Sequence, residues 1–467
     1  MITNDKILIG LVDADLLDGG TRHPNLALLK LAGFLYDNCV PFELILDSKV
    51  DTTRYERIYM SRVFTFTNLP ELYTRSIGTL EEVKFQMGGT GFYADVVNVK
   101  EYMRLRKEDM MKLENDPYLN SLNNLYDIPE KPHGISMPRQ KPYYHLYDAF
   151  VDEQVKKGYK REKYKDYQNY SIGFLTRGCF RHCPFCINKL ENDISPYSKL
   201  QWFMDDERDE NGRLVRPYIY LWDDNFLASD PEIWRPLLHE LIESGRPFQF
   251  RQGLDERMLA QSPYGEEMAE MLSHSKYHGD FIFAFDNWRD RELIEKALRI
   301  WKRHNPKKGT KFYLFCGFKQ SVENKDLFYK DIWELFHRIK VLMKYGCVGY
   351  VMRHEDYHNA PISNLYIQIA RWCNQPQFYK KMSFWQFCYR NQSYWEERYL
   401  KLNGRPELKT FEEFKQDVVD GYYDKVKMCL PLKTLVDVLD MFPQHSSELL
   451  KMFNYSLKDL VNENLWK

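Results

Sequence analysis

The chain predicts an α/β fold with an N-terminal parallel sheet, a second barrel-like parallel sheet, and a mostly helical C-terminal region. Three observations predict it. Apolar runs of strand length alternate with helical stretches from Ile7 to Asp356. Six of those runs, between Tyr170 and Met352, each close on polar residues or glycine. That is the pattern of parallel strands whose C-terminal ends carry a site. From residue 357 onward the alternation stops and aromatic residues recur at helical spacing.

The N-terminal elements come first. Met1–Lys6 leads into a strand and has no signal-peptide pattern. Ile7–Val12 is the first strand, followed by Asp13 and a Gly19-Gly20 turn. His23-Pro24-Asn25 opens a helix with Pro24 near its first turn, and Leu28, Leu29, Leu31, Ala32 and Leu35 give it a wide apolar face. Phe42–Leu46, Arg57–Phe64 and Val83–Met87 are the next strands. The last runs into Gly88-Gly89-Thr90-Gly91, a turn that is either structural or a place where backbone approaches a ligand. His23 is either a cap or turn residue or a ligand. Lys100–Lys112 has the alternating charges of a solvated helix face. Pro117, Pro129, Pro132, Pro138 and Pro142 mark a turn-rich piece, and basic Lys156–Lys165 reads as a surface connection.

The second set of units begins with Tyr170–Leu175. Ser195-Pro196 is expected to start a helix through Asp206. Strands follow at Pro217–Trp222, ending in Asp223-Asp224-Asn225, and at Phe248–Gly253, which includes Arg251 and Gln252. Further strands are Asp280–Phe285, ending in Asp286-Asn287, Lys311–Phe315, ending in Cys316-Gly317, and Gly349–Met352. Helices are expected at 231–244 and Arg289–His304. In the C-terminal region Trp372, Phe378, Tyr379, Phe384, Trp385, Phe387, Tyr389 and Trp395 sit at helical spacing, a core stripe or a substrate wall. Lys409–Asp420 and Leu432–Met441 also look amphipathic.

The motif that carries chemistry is Cys179-Phe180-Arg181-His182-Cys183-Pro184-Phe185-Cys186, directly after the Tyr170–Leu175 strand. Thiolates bind iron or zinc, and this spacing lets one loop wrap one metal site. Three thiolates without a fourth nearby suit a four-iron cluster with one iron left open. The alternative is a zinc site completed by His182 or a distant cysteine. The other cysteines, Cys316, Cys347, Cys373, Cys388 and Cys429 among them, lack tight ligand spacing and read as buried thiols, with a second cluster as the alternative.

Composition narrows the partners. With 66 basic and 67 acidic residues the net charge is -1, which gives no electrostatic case for nucleic acid. A small molecule or peptide is the expected substrate. The 9 cysteines do not form a secreted disulfide pattern. No apolar run approaches the roughly 20 residues that span a bilayer. A cytoplasmic protein without a membrane partner is expected.

At the cysteine motif the chain resembles the radical S-adenosylmethionine (radical SAM) enzymes, which share the spacing and an aromatic residue, here Phe185, before the last cysteine. With the N-terminal segment included it resembles their cobalamin-binding-type subclass, on the Pro24–Leu28 helix start and the Gly88-Gly89 turn. It departs from that subclass in having no Asp-x-His-x-x-Gly motif to ligate cobalt, so cobalamin is left as an open alternative. The resemblance implies a Rossmann-like domain over 1–130, a linker over 131–168, a partial (β/α)6 radical SAM barrel over 169–356, and a helical, aromatic-rich domain over 357–467. It implies that Cys179, Cys183 and Cys186 hold a [4Fe-4S] cluster, that S-adenosylmethionine (SAM) chelates the open iron, and that a flavodoxin- or ferredoxin-type reductant supplies the electron. Reductive cleavage would then yield a 5'-deoxyadenosyl radical. Phe185 would lie against the adenine. Asp223, Asp224 and Asn225 stand where many members carry Gly-Gly-Glu for the SAM amino group. Arg251, Gln252, Asp286, Asn287 and Gly317 are further candidates for SAM or substrate by their position at strand ends. The alternative function is an iron–sulfur electron carrier or sensor that does not cleave SAM.

Overall fold

The computed structural model describes residues 8–122 and 134–467. The Met1–Lys6 reading, the strand start at Ile7, Pro129 and Pro132, and the 130/131 boundary lie outside the described residues. The chain forms two compact units, Met1–Gln252 and Gly253–Lys467. The structure is mixed α/β with parallel sheets. Among the described residues no helix is long and apolar enough to cross a membrane.

The first unit opens with a parallel sheet of β1 (Ile9–Asp13), β2 (Phe42–Leu44), β3 (Arg57–Ser61) and β4 (Phe85–Gly88), in the order β2-β1-β3-β4. Both faces are buried, as parallel sheets require. Ile9, Leu11 and Tyr59 join one core with the helix Leu26–Asp37, and Val12, Ile58 and Met60 join another with Ile45, Tyr55 and Leu72. That helix starts at Leu26 with Asn25 as its cap, so Pro24 lies before the cap and not in the first turn. Nine of its twelve residues are buried. Gly33 belongs to it because any side chain would meet the Lys141 carbonyl oxygen, 2.0 Å from an ideal Cβ.

The first core continues onto β5 (Tyr170–Gly173) and β8 (Tyr218–Leu221) through Tyr170, Ile172 and Tyr220. With β9 (Phe248–Phe250) these form a parallel sheet in the order β5-β8-β9. β6 (Thr176–Arg177) and β7 (Ser195–Pro196) form a short antiparallel ribbon. Ser195-Pro196 is thus a strand and not a helix start. Its backbone pairs with Arg177 and Thr176, and a 3-10 turn at Leu200–Trp202 follows.

The second unit holds a parallel sheet of β10 (Phe281–Ala284), β11 (Thr310–Cys316) and β12 (Val348–Arg353), in that order. A bridge from Leu254 to Phe283 adds to it. The helices Pro231–Glu243 in the first unit and Arg291–His304 in the second form where expected. The six expected strands thus pair as two ladders of three. The C-terminal aromatics Trp372, Tyr379, Phe384, Trp385, Phe387 and Tyr389 are buried on helices, and Cys316, Cys347, Cys373, Cys388 and Cys429 are buried as well.

Gly33→Ala sets helix propensity, worth about 1 kcal/mol in favour of alanine, against overpacking of about 1–3 kcal/mol. A contact with backbone cannot be relieved by a rotamer change, so the substitution is expected to lower the urea midpoint. Gly19→Ala, which meets nothing within 4 Å, is expected to leave that midpoint nearly unchanged.

Candidate functional site

The cysteine loop leaves the C-terminal end of β5 and is closed at its base by the β6–β7 ribbon. Thr176 faces Pro196 and Arg177 faces Ser195, and the Tyr197 N–H donates to the Leu175 carbonyl at 2.8 Å. Gly178 has φ 110°, and a Cβ there would lie 2.0 Å from the Asp193 carbonyl oxygen, so only glycine lets the two legs of the loop approach.

The stretch after β8 grips the start of the loop residue by residue. Asp223 accepts the Leu175 N–H at 3.2 Å, the Thr176 N–H at 2.6 Å and the Thr176 hydroxyl at 2.8 Å. Asp224 accepts from the Arg177 Nε and the Gly178 N–H, both at 2.9 Å. The Asn225 amide donates to Cys179 Sγ at 3.3 Å. Further along, the Asn188 N–H donates to Cys186 Sγ at 3.5 Å. Burial pushes Asp223 up to about 7 against the pull of its hydrogen bonds. Burial also pushes the Cys186 thiol up, and Cys179 and Asp224 add to that rise. Burial opposes the Arg177 charge, yet Asp224 beside it leaves the guanidinium pKa raised overall.

The far half of the loop is fixed from the helix Val99–Lys112. Arg106 donates to the Ile187 carbonyl at 2.7 Å and to Asn188 Oδ1 at 3.1 Å, and it pairs with Glu191. Tyr102 also donates to the Ile187 carbonyl. The expectation of a solvated helix face therefore fails on one side, where Tyr102 and Arg106 are buried. Their i, i+4 spacing puts both on one stripe, and that spacing was the signal available in the sequence. His182, with φ 50°, turns its Nδ1–H to the Lys189 carbonyl at 3.0 Å.

The structure thus brings Asp223, Asp224 and Asn225 onto the segment Leu175–Cys179, and Cys183, Phe185 and Cys186 follow on the same loop. Arg251 packs over the Tyr220 ring and reaches His23 Nε2 at 3.3 Å, and Asp166 Oδ2 lies 3.1 Å from His23 Nδ1 and 3.8 Å from the Arg251 guanidinium. Gln252 is exposed. In the second unit Asp286 accepts the Phe315 N–H at 3.1 Å, Asn287 begins a 3-10 turn, and the Gly317 N–H donates to Asp331 at 2.9 Å. Buried Arg338, not singled out in the sequence, ties the Phe285 and Phe315 carbonyls after β10 and in β11.

At the C-terminal ends of β1 and β3 the chain supplies hydrogen-bond partners of its own. Asn25 donates to Ser61 at 2.7 Å, and the Tyr147 hydroxyl donates to Asp13 at 2.7 Å. Gly89 packs on Arg62, whose carbonyl oxygen lies 2.3 Å from an ideal Cβ. A cavity of about 340 Å³ lies alongside, with Met60, Gly88, Asp109, Met137 and Arg177 in its wall. Among the described residues no three His, Cys, Asp or Glu side chains converge into a ready-made metal cage. No family model matches the chain, and no curated protein matches it.

Asp223 carries a pH dependence with a definite sign. Its pKa is about 7 in the folded chain against 3.8 for the free group, so the folded state holds the proton more tightly. Its contribution to stability is full below about pH 4 and is lost as pH rises towards 7. The span is on the order of 4 kcal/mol. In Asp223→Asn that slope should vanish between pH 4 and 7, leaving a constant cost of about 1–3 kcal/mol for the imperfectly matched Leu175 and Thr176 N–H groups. Urea midpoints of both proteins across that range check this.

Proposed function

We propose that this chain is a radical SAM enzyme in which Cys179, Cys183 and Cys186 hold a [4Fe-4S] cluster beside S-adenosylmethionine. The observation that carries the proposal is the built loop. Three thiols free of disulfides sit on one short segment at the C-terminal end of β5, with N–H groups directed at two of the sulfurs. That donor set suits a soft metal group. His182, the nearest further ligand for zinc, is turned to the Lys189 carbonyl. Held by Cys179, Cys183 and Cys186, such a cluster would supply the electron for reductive cleavage of SAM, the chemistry that would initiate hydrogen abstraction from a substrate.

The chain's own residues hold and shape the site. Asp223 and Asp224 fix Leu175–Gly178, so the proposal assigns their acceptor oxygens to the loop. Arg106 and Tyr102 fix Ile187 and Asn188. Phe185 is assigned to the adenine by its place on the loop. Arg251 is assigned to the His23–Asp166 contact and not to SAM. Cobalamin is left out, because the chain has no Asp-x-His-x-x-Gly motif and His23 faces Asp166 and Arg251. The proposal includes a flavodoxin- or ferredoxin-type reductant, a reducing cytoplasmic setting, and a small-molecule or peptide substrate.

Anaerobic reconstitution with iron and sulfide, reduction, and addition of SAM should yield 5'-deoxyadenosine. In Cys183→Ala the yield should fall more than about 100-fold, since loss of an outer-shell partner alone costs 10- to 100-fold. A wild-type protein that assembles the cluster but neither binds nor cleaves SAM would be an electron carrier or sensor, and the proposal would be wrong.

A further inference from the structure

We infer that Asn225 is a positioning residue for the first cysteine, and that its amide raises the reduction potential of an iron–sulfur group held there. The inference rests on the cluster reading above. Asn225 is only 3% exposed, and its Nδ2 donates to Cys179 Sγ at 3.3 Å. The two residues before it grip the four residues before Cys179, so the amide reaches the sulfur from a fixed base. Asp224 is matched by Arg177 at 2.9 Å, which leaves the Asn225 amide as the polar side chain from this stretch on the sulfur itself. An amide N–H beside a thiolate stabilises the more negative, reduced state of an attached cluster, so it raises the potential. A carboxylate at the same place would face the sulfur with lone pairs and do the opposite. The neutral side chain at position 225 is therefore the feature that sets this sulfur's environment.

The test uses the full chain, reconstituted anaerobically, as wild type, Asn225→Leu and Asn225→Asp. Iron and sulfide content and far-UV circular dichroism establish loading and folding. An EPR-monitored redox titration then gives the midpoint potential. Asn225→Leu, which keeps the size and removes the donor, should shift the reduction equilibrium about tenfold towards the oxidised state, which is about 59 mV for a one-electron couple. Asn225→Asp should shift it further in the same direction. Folded variants that fail to load, beside a wild type that loads, would also support the positioning role. Equal potentials in all three at equal iron content would overturn the inference and leave the cluster reading standing. A wild type that takes up no cluster would overturn both. Should the leucine variant not fold, the isosteric Asn225→Asp decides alone.

Discussion

The loop depends on one set of contacts, those between the three side chains after β8 and the segment Leu175–Cys179. That segment has left β5 and pairs again briefly, at Thr176 and Arg177, in the short β6–β7 ribbon. Its N–H groups have little strand ladder to serve them, and a buried N–H without a partner costs about 1–3 kcal/mol. Asp223 and Asp224 supply acceptors for the N–H groups of Leu175, Thr176 and Gly178. The register is fixed because β5 and β8 pair directly, with Gly173 opposite Leu221. Two residues beyond that pair on β8 lies Asp223, and two beyond it on β5 lies Leu175. Pairing of two parallel strands therefore delivers the clamp to the loop without any further device.

The strands were legible because each is a short, apolar run bounded by polar residues or glycine, and burial on both faces keeps such runs continuous. The helices Pro231–Glu243 and Arg291–His304 were legible from their period. What was not legible was decided by partners distant in sequence. Ser195-Pro196 looks like a helix start because proline suits a first turn, yet its backbone is taken by Thr176 and Arg177. Lys100–Lys112 looks solvated because most of its positions are charged, and only the loop that packs on it separates Arg106 from its neighbours. Closure of a barrel is a property of the whole hydrogen-bond ladder, and the period of single strands does not contain it.

Site residues divide in the same way. The cysteines were legible from spacing, since three thiols on one loop must lie near one another in sequence. Asp223-Asp224-Asn225 was legible as a polar strand end, but its task was not. Acceptor atoms at a strand end suit a ligand or the chain's own backbone equally well, and here the Leu175, Thr176 and Gly178 N–H groups take them. Arg251 also ends a strand. Alternation along the sheet places it on the face of Tyr220, and there it meets His23 and Asp166.

Two charges beside the loop are matched within the chain. Arg177 answers Asp224, and Arg106 answers Glu191. Burial, with Cys179 and Asp224 nearby, raises the Cys186 thiol pKa against the pull of Arg106. A thiol binds metal only as the thiolate, so its proton has to leave. Metal uptake at this loop would therefore release protons and weaken as the pH falls, with the Asn225 and Asn188 N–H groups already on Cys179 and Cys186.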